Sequence, residues 1–306
     1  MPSEFILLGF SWIEDLKIWL SIPFAVMYLV AIFANGTLVL VITLEKSLHE
    51  PMYIYISVLA LVDLGLSTSV MPKVLAILWF DANSISATAC LSQMVLIYCF
   101  EGLESSLFLL MSFDRYVAIC NPLRYSSIIN QSFVIKSLVF IVILTMGLLS
   151  PMSHFTKWFP YCDSNILYYT FCDHLSILKL ACGDFTWNTI YLIMLVCAFS
   201  VLDNSLIALS YLLILQVVVK LGSPEARKKA FSTCSSHIIV ILFFAVSTTF
   251  PFLLFLLRQN VPMYMQVLPA MLSNLVPPLM NPIVYGVRTK EIQHGLHSLF
   301  KKSTFR

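Results

Sequence analysis

Met111-Ser112-Phe113-Asp114-Arg115-Tyr116-Val117-Ala118-Ile119-Cys120-Asn121-Pro122-Leu123-Arg124-Tyr125 closes a largely apolar run of more than twenty residues with an adjacent acid and base. A charged pair is costly at a bilayer centre and cheap at its surface, so Asp114 and Arg115 mark where a membrane helix reaches water. The pair can also hold itself by a charge-assisted hydrogen bond, and breaking that bond would free the arginine.

Outward from this stretch the pattern repeats. The chain has 306 residues, 59% apolar and 11% charged, against about 25% charged in a soluble domain. Its mean hydropathy is +0.89. Runs long enough to span fall at about 22–44, 53–76, 89–114, 133–152, 188–219, 230–257 and 264–286. The expected fold is an all-α membrane protein, a seven-transmembrane helix bundle. Residues 1–21 form an outer N-terminus, 22–286 the bundle and 287–306 an inner tail. The longest connection, 153–187, leaves no room for a second soluble domain.

Lys and Arg placement sets the orientation. With the N-terminus outside, thirteen basic residues fall inside (Lys46, Arg115, Arg124, Lys136, Lys220, Arg227, Lys228, Lys229, Arg288, Lys290, Lys301, Lys302, Arg306) and five outside (Lys17, Lys73, Lys157, Lys179, Arg258). The net charge of +2 is spread along one membrane face, which argues against a nucleic-acid partner. Glu4, Glu14, Asp15 and Lys17 interrupt the start, so the first helix rather than a cleaved leader is expected to target the chain.

Cys90, Cys162, Cys172 and Cys182 fall on the oxidising side, while Cys99, Cys120, Cys197 and Cys234 lie in helices or near the cytosol. Four cysteines allow three pairings. Asn35-Gly36-Thr37 and Asn130-Gln131-Ser132 fit the glycosylation pattern but fall in a helix and on the inner side, so both read as chance matches.

Four carboxylates, Asp63, Glu101, Glu104 and Asp203, sit within spans, and each needs a partner or a proton. At about 1.5 Å per residue, Glu104 and Asp63 reach similar depth. Two anions in one dry site cannot both stay ionised, which calls for a shared proton or a cation, with Asn281 adding a neutral oxygen. Tyr98, Glu101 and Glu104 share one side of their helix. Glu101 lies where a ligand pocket would begin. It either selects a hydrogen-bond donor or cation, or pairs with a hydroxyl or with Asn204. Gly102, Leu195, Phe199, Thr248, Thr249, Phe252, Ser273 and Asn274 complete an apolar pocket with few polar anchors. Ser247-Thr248-Thr249 with Pro251 also reads as a helix kink.

Toward the inner side stand Lys228-Lys229-Ala230-Phe231-Ser232-Thr233-Cys234-Ser235-Ser236-His237, Ser210-Tyr211 and Asn281-Pro282-Ile283-Val284-Tyr285. Their Lys and Tyr residues equally suit anchoring at a membrane interface. From Arg288 to Lys302, Ile292, Leu296, Leu299 and Phe300 share one face, an amphipathic eighth helix on the inner leaflet.

These motifs together resemble the odorant-receptor family of rhodopsin-like G-protein-coupled receptors, over nearly the whole chain. Pro51-Met52-Tyr53 and Phe80-Asp81 after Trp79 resemble its class I branch. The resemblance implies a small volatile ligand, a stimulatory G protein, a cAMP signal and a multi-pass place in the plasma membrane. It implies disulfides Cys90–Cys172 and Cys162–Cys182, and a Na⁺ site at Asp63, Glu104 and Asn281, with no other cofactor. It makes Asp114, Arg115, Tyr116, Tyr211, Lys229, His237, Asn281 and Tyr285 the switch. Many class I ligands are carboxylic acids, and some acid-binding members carry an Arg late in helix six. Here Leu256 takes that position, with Arg258 two residues on. Family members usually carry a glycosylated N-terminal tail, and no acceptor site stands in these first residues.

No G-x-x-x-x-G-K-S/T, H-E-x-x-H or G-x-S-x-G pattern occurs, so catalysis is not expected. The competing reading is an ion-coupled transporter or channel using the buried acids. The sequence has no internal repeat of the kind transporters are often built from.

Overall fold

The structure is a computed structural model that describes residues 1–10, 15–162, 164–184, 186–220, 223–256 and 262–304. Glu14, Arg258 and Arg306 lie outside the described residues, as do the side chains of Lys229, Ala230, Ser232, Thr233, Phe252, Leu256, Phe300 and Lys302.

In chain order, strand β1 (Glu4–Leu7) precedes α1 (Lys17–Leu44), α2 (Pro51–Phe80), β2 (Ser84–Ser86) and α3 (Ala87–Cys120). Short α4 (Tyr125–Ile128) leads into α5 (Gln131–Lys157), then β3 (Ile166–Leu167) and α6 (His174–Leu178). Helix α7 (Thr186–Val196) passes through a π-helical turn, Cys197–Leu202, into α8 (Asp203–Val219). Helices α9 (Pro224–Leu256), α10 (Met263–Ser273), α11 (Val276–Arg288) and α12 (Lys290–Thr304) finish the chain.

Seven segments of this set are long and apolar enough to cross a bilayer. Their outward faces confirm what surrounds them: Phe33 is 69% exposed, Phe140 63% and Val246 65%. Apolar surface of that extent belongs in lipid, where helices also satisfy their own backbone.

The helices overrun the apolar windows because hydrogen-bond ladders continue into the polar zone. Pro51 begins α2 at a position where no N–H is needed, and Asn130 caps α5 by accepting from Phe133 N at 2.9 Å. Two spans read as continuous are interrupted. The seventh breaks at Asn274–Leu275, just before Pro277 and Pro278, whose rings deprive the ladder of donors. The fifth carries the π turn. The eighth helix begins at Lys290, not Arg288; Arg288 ends α11 and donates to Ser235 Oγ at 3.0 Å. Ile292 is fully buried and Gly295 lies against Val41, so α12 docks on the end of α1.

A three-stranded sheet, order β2-β1-β3, covers the other end of the bundle. Phe5 pairs with Ile85 antiparallel, Ile6 with Ile166 parallel, and Phe5 and Leu7 are fully buried. Gly9 turns the chain at φ +47°, where a Cβ would strike Thr170 Cγ2 at 2.7 Å. We call this the lid end; α12 marks the opposite end.

Candidate functional site

The lid is fastened to the helices by covalent and polar ties. Cys90 at the top of α3 is bonded to Cys172, and Cys162 to Cys182, each pair with Cα atoms 5.4 Å apart. Gln93 accepts from Cys172 N at 3.0 Å and donates to Ser69 O at 2.8 Å, bridging lid and α2. His174 is buried between Thr156 Oγ1 (3.2 Å) and Asn188 Oδ1 (3.0 Å). Burial holds its imidazole below the usual range, against the opposing pull of Asp173 and the Asn188 bond. Tyr161 donates to Thr156 O at 2.7 Å, and burial pushes its phenol up to about 12.

Beneath the lid lies a partly open cavity of about 450 Å³ between α3, the α7–α8 segment, α9 and α10. It brings together Tyr98, Glu101, Gly102, Leu195, Phe199, Thr248, Thr249 and Asn274, with Ser273 beside them. Phe252 cannot be added, since its side chain lies outside the described residues. Gly102 keeps the wall thin: a Cβ there would meet Thr145 Cγ2 at 3.1 Å and Leu149 Cδ1 at 3.3 Å. Thr248 donates back to Phe244 O at 2.9 Å, so its hydroxyl serves its own helix while its side chain lines the cavity. A larger, more open cleft of about 810 Å³ lies between α5 and α7 beside Trp158 and Trp187. Those rings are 75% and 81% exposed, so that cleft faces lipid rather than the bundle interior.

Deeper in the bundle, Asp63, Glu104 and Asn281 meet, all essentially inaccessible. Asn281 Nδ2 donates to Asp63 Oδ1 (3.1 Å) and Oδ2 (3.0 Å) and to Glu104 Oε1 (3.1 Å). This reverses the expected role of the amide: its nitrogen, not its oxygen, faces the acids, because it supplies the partial positive charge two adjacent carboxylates demand. Glu104 Oε2 and Asn281 Oδ1 are left buried without a partner. Among the described residues no group of three or more His, Cys, Asp or Glu could hold a metal, so a transition-metal centre has no ligand set.

At the opposite end, Arg115 donates to Asp114 Oδ2 through Nη2 (2.6 Å) and Nε (3.0 Å). Asp114 is fully buried while the Arg115 side chain is 19% exposed. Tyr116, the next residue, packs against the patch of Ile214, Val218 and Cys234. The two phenols counted in the switch, Tyr211 and Tyr285, make no hydrogen bond to Arg115. Tyr285 Oη pairs with His237 Nδ1 at 3.3 Å, while Tyr211 Oη is buried with no partner. The described helix α9 contains Lys229, whose side chain lies outside the described residues.

Comparison with known proteins decides what carries this geometry. The family model described as "Olfactory receptor" matches residues 24–303. The chain is 44% identical to human "Olfactory receptor 56A1" over 98% of this chain and 94% of that one. It is 41% identical to human "Olfactory receptor 52J3" (98% and 96% covered) and 43% to mouse "Olfactory receptor 56B34" (99% and 94%). The chain belongs to the olfactory receptor family. A squid rhodopsin crystal structure shares the fold, with a TM-score of 0.76 at 17% identity over 95% of this chain and 87% of that one. The receptor is thus a multi-pass plasma-membrane protein of a non-enzymatic signalling family.

Several of the receptor's polar ties escape sequence reading. Asp203, flagged only as a buried acid, accepts from Ser105 Oγ at 2.8 Å, and the same hydroxyl contacts Phe199 O at 2.6 Å, where the π turn frees a carbonyl. Tyr98 donates to Asp173 Oδ1 at 2.8 Å across the lid, and Tyr125 to Asp114 Oδ1 at 2.8 Å. Glu101 takes neither partner expected of it: Asn204 donates instead to Ser200 O at 2.6 Å. The Ser105 and Tyr98 contacts join residues 75 to 98 positions apart in sequence, which no local pattern encodes. The two apparent glycosylation motifs have structural uses, Asn35 donating to Pro278 O at 2.7 Å and Asn130 capping α5.

Proposed function

We propose that the protein is an odorant receptor: a small volatile ligand enters the cavity beneath an extracellular lid, and the opposite, cytoplasmic end then activates a stimulatory heterotrimeric G protein, raising cAMP. The carrying observation is that one helix, α3, lines the cavity with Tyr98 and Glu101 and ends in the closed Asp114–Arg115 pair. A ligand that binds the open form more tightly shifts the population toward it. Tyr211, buried and without a hydrogen bond, is the ready partner for a released Arg115. The Tyr285–His237 contact ties α11 to α9 in the closed form. The excess of Lys and Arg at the α12 end supports its cytoplasmic placement.

The orphaned Glu104 Oε2 fits a small hard cation, and Asp63, Glu104 and Asn281 would hold Na⁺ with the Asn281 amide turned so that its oxygen faces the acids. A bound Na⁺ would neutralise the pair and favour the closed packing.

The test is an odorant panel on cells expressing the receptor with a cAMP reporter, run in parallel in cells lacking the stimulatory α subunit. A ligand-dependent cAMP rise only where that subunit is present is expected. Ligand-driven current or uptake in liposomes holding only this protein would instead favour a transporter or channel.

A further inference from the structure

The cavity's hydrogen-bonding capacity is unbalanced, and the imbalance names a ligand class. Several of its donors are spent on the protein itself: Tyr98 Oη on Asp173, Thr248 Oγ1 on Phe244 O, Ser273 Oγ on Ala270 O and Asn204 Nδ2 on Ser200 O. Its acceptors are not. Asn274 is 2% exposed, lines the cavity, gives its Nδ2 to Ala270 O, and leaves Oδ1 with no partner. Glu101, also in the wall, makes no hydrogen bond among the described residues. A buried acceptor without a donor costs free energy that a ligand N–H or O–H would recover.

Charge narrows the class further. Two carboxylates, Glu101 and Asp173, line the cavity, and among its described lining residues there is no Lys, Arg or His. Asp173 is already committed, accepting from Tyr98 Oη at 2.8 Å, Ser176 N at 3.0 Å and Ser176 Oγ at 3.1 Å. It stands as a fixed anionic wall, and Glu101 is the group with capacity to spare. A carboxylate ligand would meet the Asp173 charge, a second carboxyl at Glu101 and no described cation, whereas an alcohol offers one donor to two acceptors. A primary ammonium offers three donors and the complementary charge, and Tyr98, Phe171 and Phe199 supply aromatic faces for it.

We infer that this cavity selects small aliphatic or aromatic primary amines, bound as ammonium ions between Glu101 and Asn274. The inference rests on the proposed ligand-receptor function but specifies the ligand's chemistry, against the acid ligands that the class I resemblance brings to mind.

The test uses the full-length receptor, purified, with thermal unfolding followed in hexylamine, hexan-1-ol and hexanoic acid, so that binding is read without any G protein. The expected result is stabilisation by hexylamine at a concentration about tenfold below that needed with hexan-1-ol, and none with hexanoic acid. Glu101→Gln should abolish the preference for amine over alcohol; Asn274→Leu should weaken both ligands together. Hexanoic acid stabilising as well as hexylamine, a preference surviving Glu101→Gln, or no stabilisation by hexylamine would each overturn the inference. The first and third need only the unmodified receptor. Amine binding without a cAMP response would remove the signalling reading and leave the amine assignment standing; a cAMP response to acids alone would do the reverse.

Discussion

Tyr125 Oη donates to Asp114 Oδ1 at 2.8 Å, on the carboxylate oxygen that Arg115 leaves free. One buried acid is therefore held from two sides, by the arginine beside it and by the short helix α4 that follows α3. Burial, reinforced by the Asp114 charge, pushes the Tyr125 phenol upward, so it remains a donor throughout the physiological range.

Removing that hydroxyl loosens the latch. Tyr125→Phe should cost the closed form about 1–2 kcal/mol, a factor of roughly 5–30 in population. Ligand-independent cAMP, measured at matched surface amounts, should rise several-fold. A basal level equal to wild type would show that Tyr125 takes no part in the latch.

The two disulfides should differ in worth. On the chain-entropy view, a closed loop of 82 residues gains about 1 kcal/mol more than one of 20. Cys90→Ser should therefore lower the unfolding temperature of purified receptor more than Cys162→Ser. The reverse order would mean that the lid's own packing, rather than its anchorage to α3, dominates.

The proposed Na⁺ site at Asp63, Glu104 and Asn281 predicts a sodium dependence. Replacing choline chloride with sodium chloride at constant ionic strength should raise the unfolding temperature of wild type. Asp63→Asn should abolish that difference while raising stability in choline, because it removes one of two adjacent buried anions. An equal response to both salts in wild type would leave the cluster as a proton-sharing contact.

How much of this was legible beforehand depends on the range of each signal. Asp114 and Arg115 reveal themselves because charge at the end of an apolar run has a local meaning. The seven spans are legible for the same reason. The lid sheet is not: β1 is four residues and β3 only two, too short for a periodic pattern, and their pairing depends on the chain between them. The break between α10 and α11 is legible in Pro277-Pro278, whose effect on the ladder is local. Asp203 could be seen to need a partner, yet Ser105 as that partner emerges only once α3 and α8 are packed. Asn281 was legible as polar and central, but its donor role depends on two acids arriving from other helices.

The lid should weaken in acid through His174. Its folded pKa lies below the unfolded value of about 6.5, so the folded state binds fewer protons in between. Its contribution is complete above about pH 6.5 and declines as pH falls below that value. The unfolding temperature should drop between about pH 7 and pH 5, and His174→Gln should flatten that slope. An unchanged slope in the variant would move the pH sensitivity to other groups.

The proposed coupling of the cavity to the α12 end through Arg115 is tested by comparing wild type with Arg115→Ala at equal surface expression, reading both ligand-induced thermal stabilisation and ligand-evoked cAMP. Retained stabilisation with cAMP reduced to the level of cells without the receptor is the expected result. An Arg115→Ala receptor that binds ligand and raises cAMP as wild type does would contradict it.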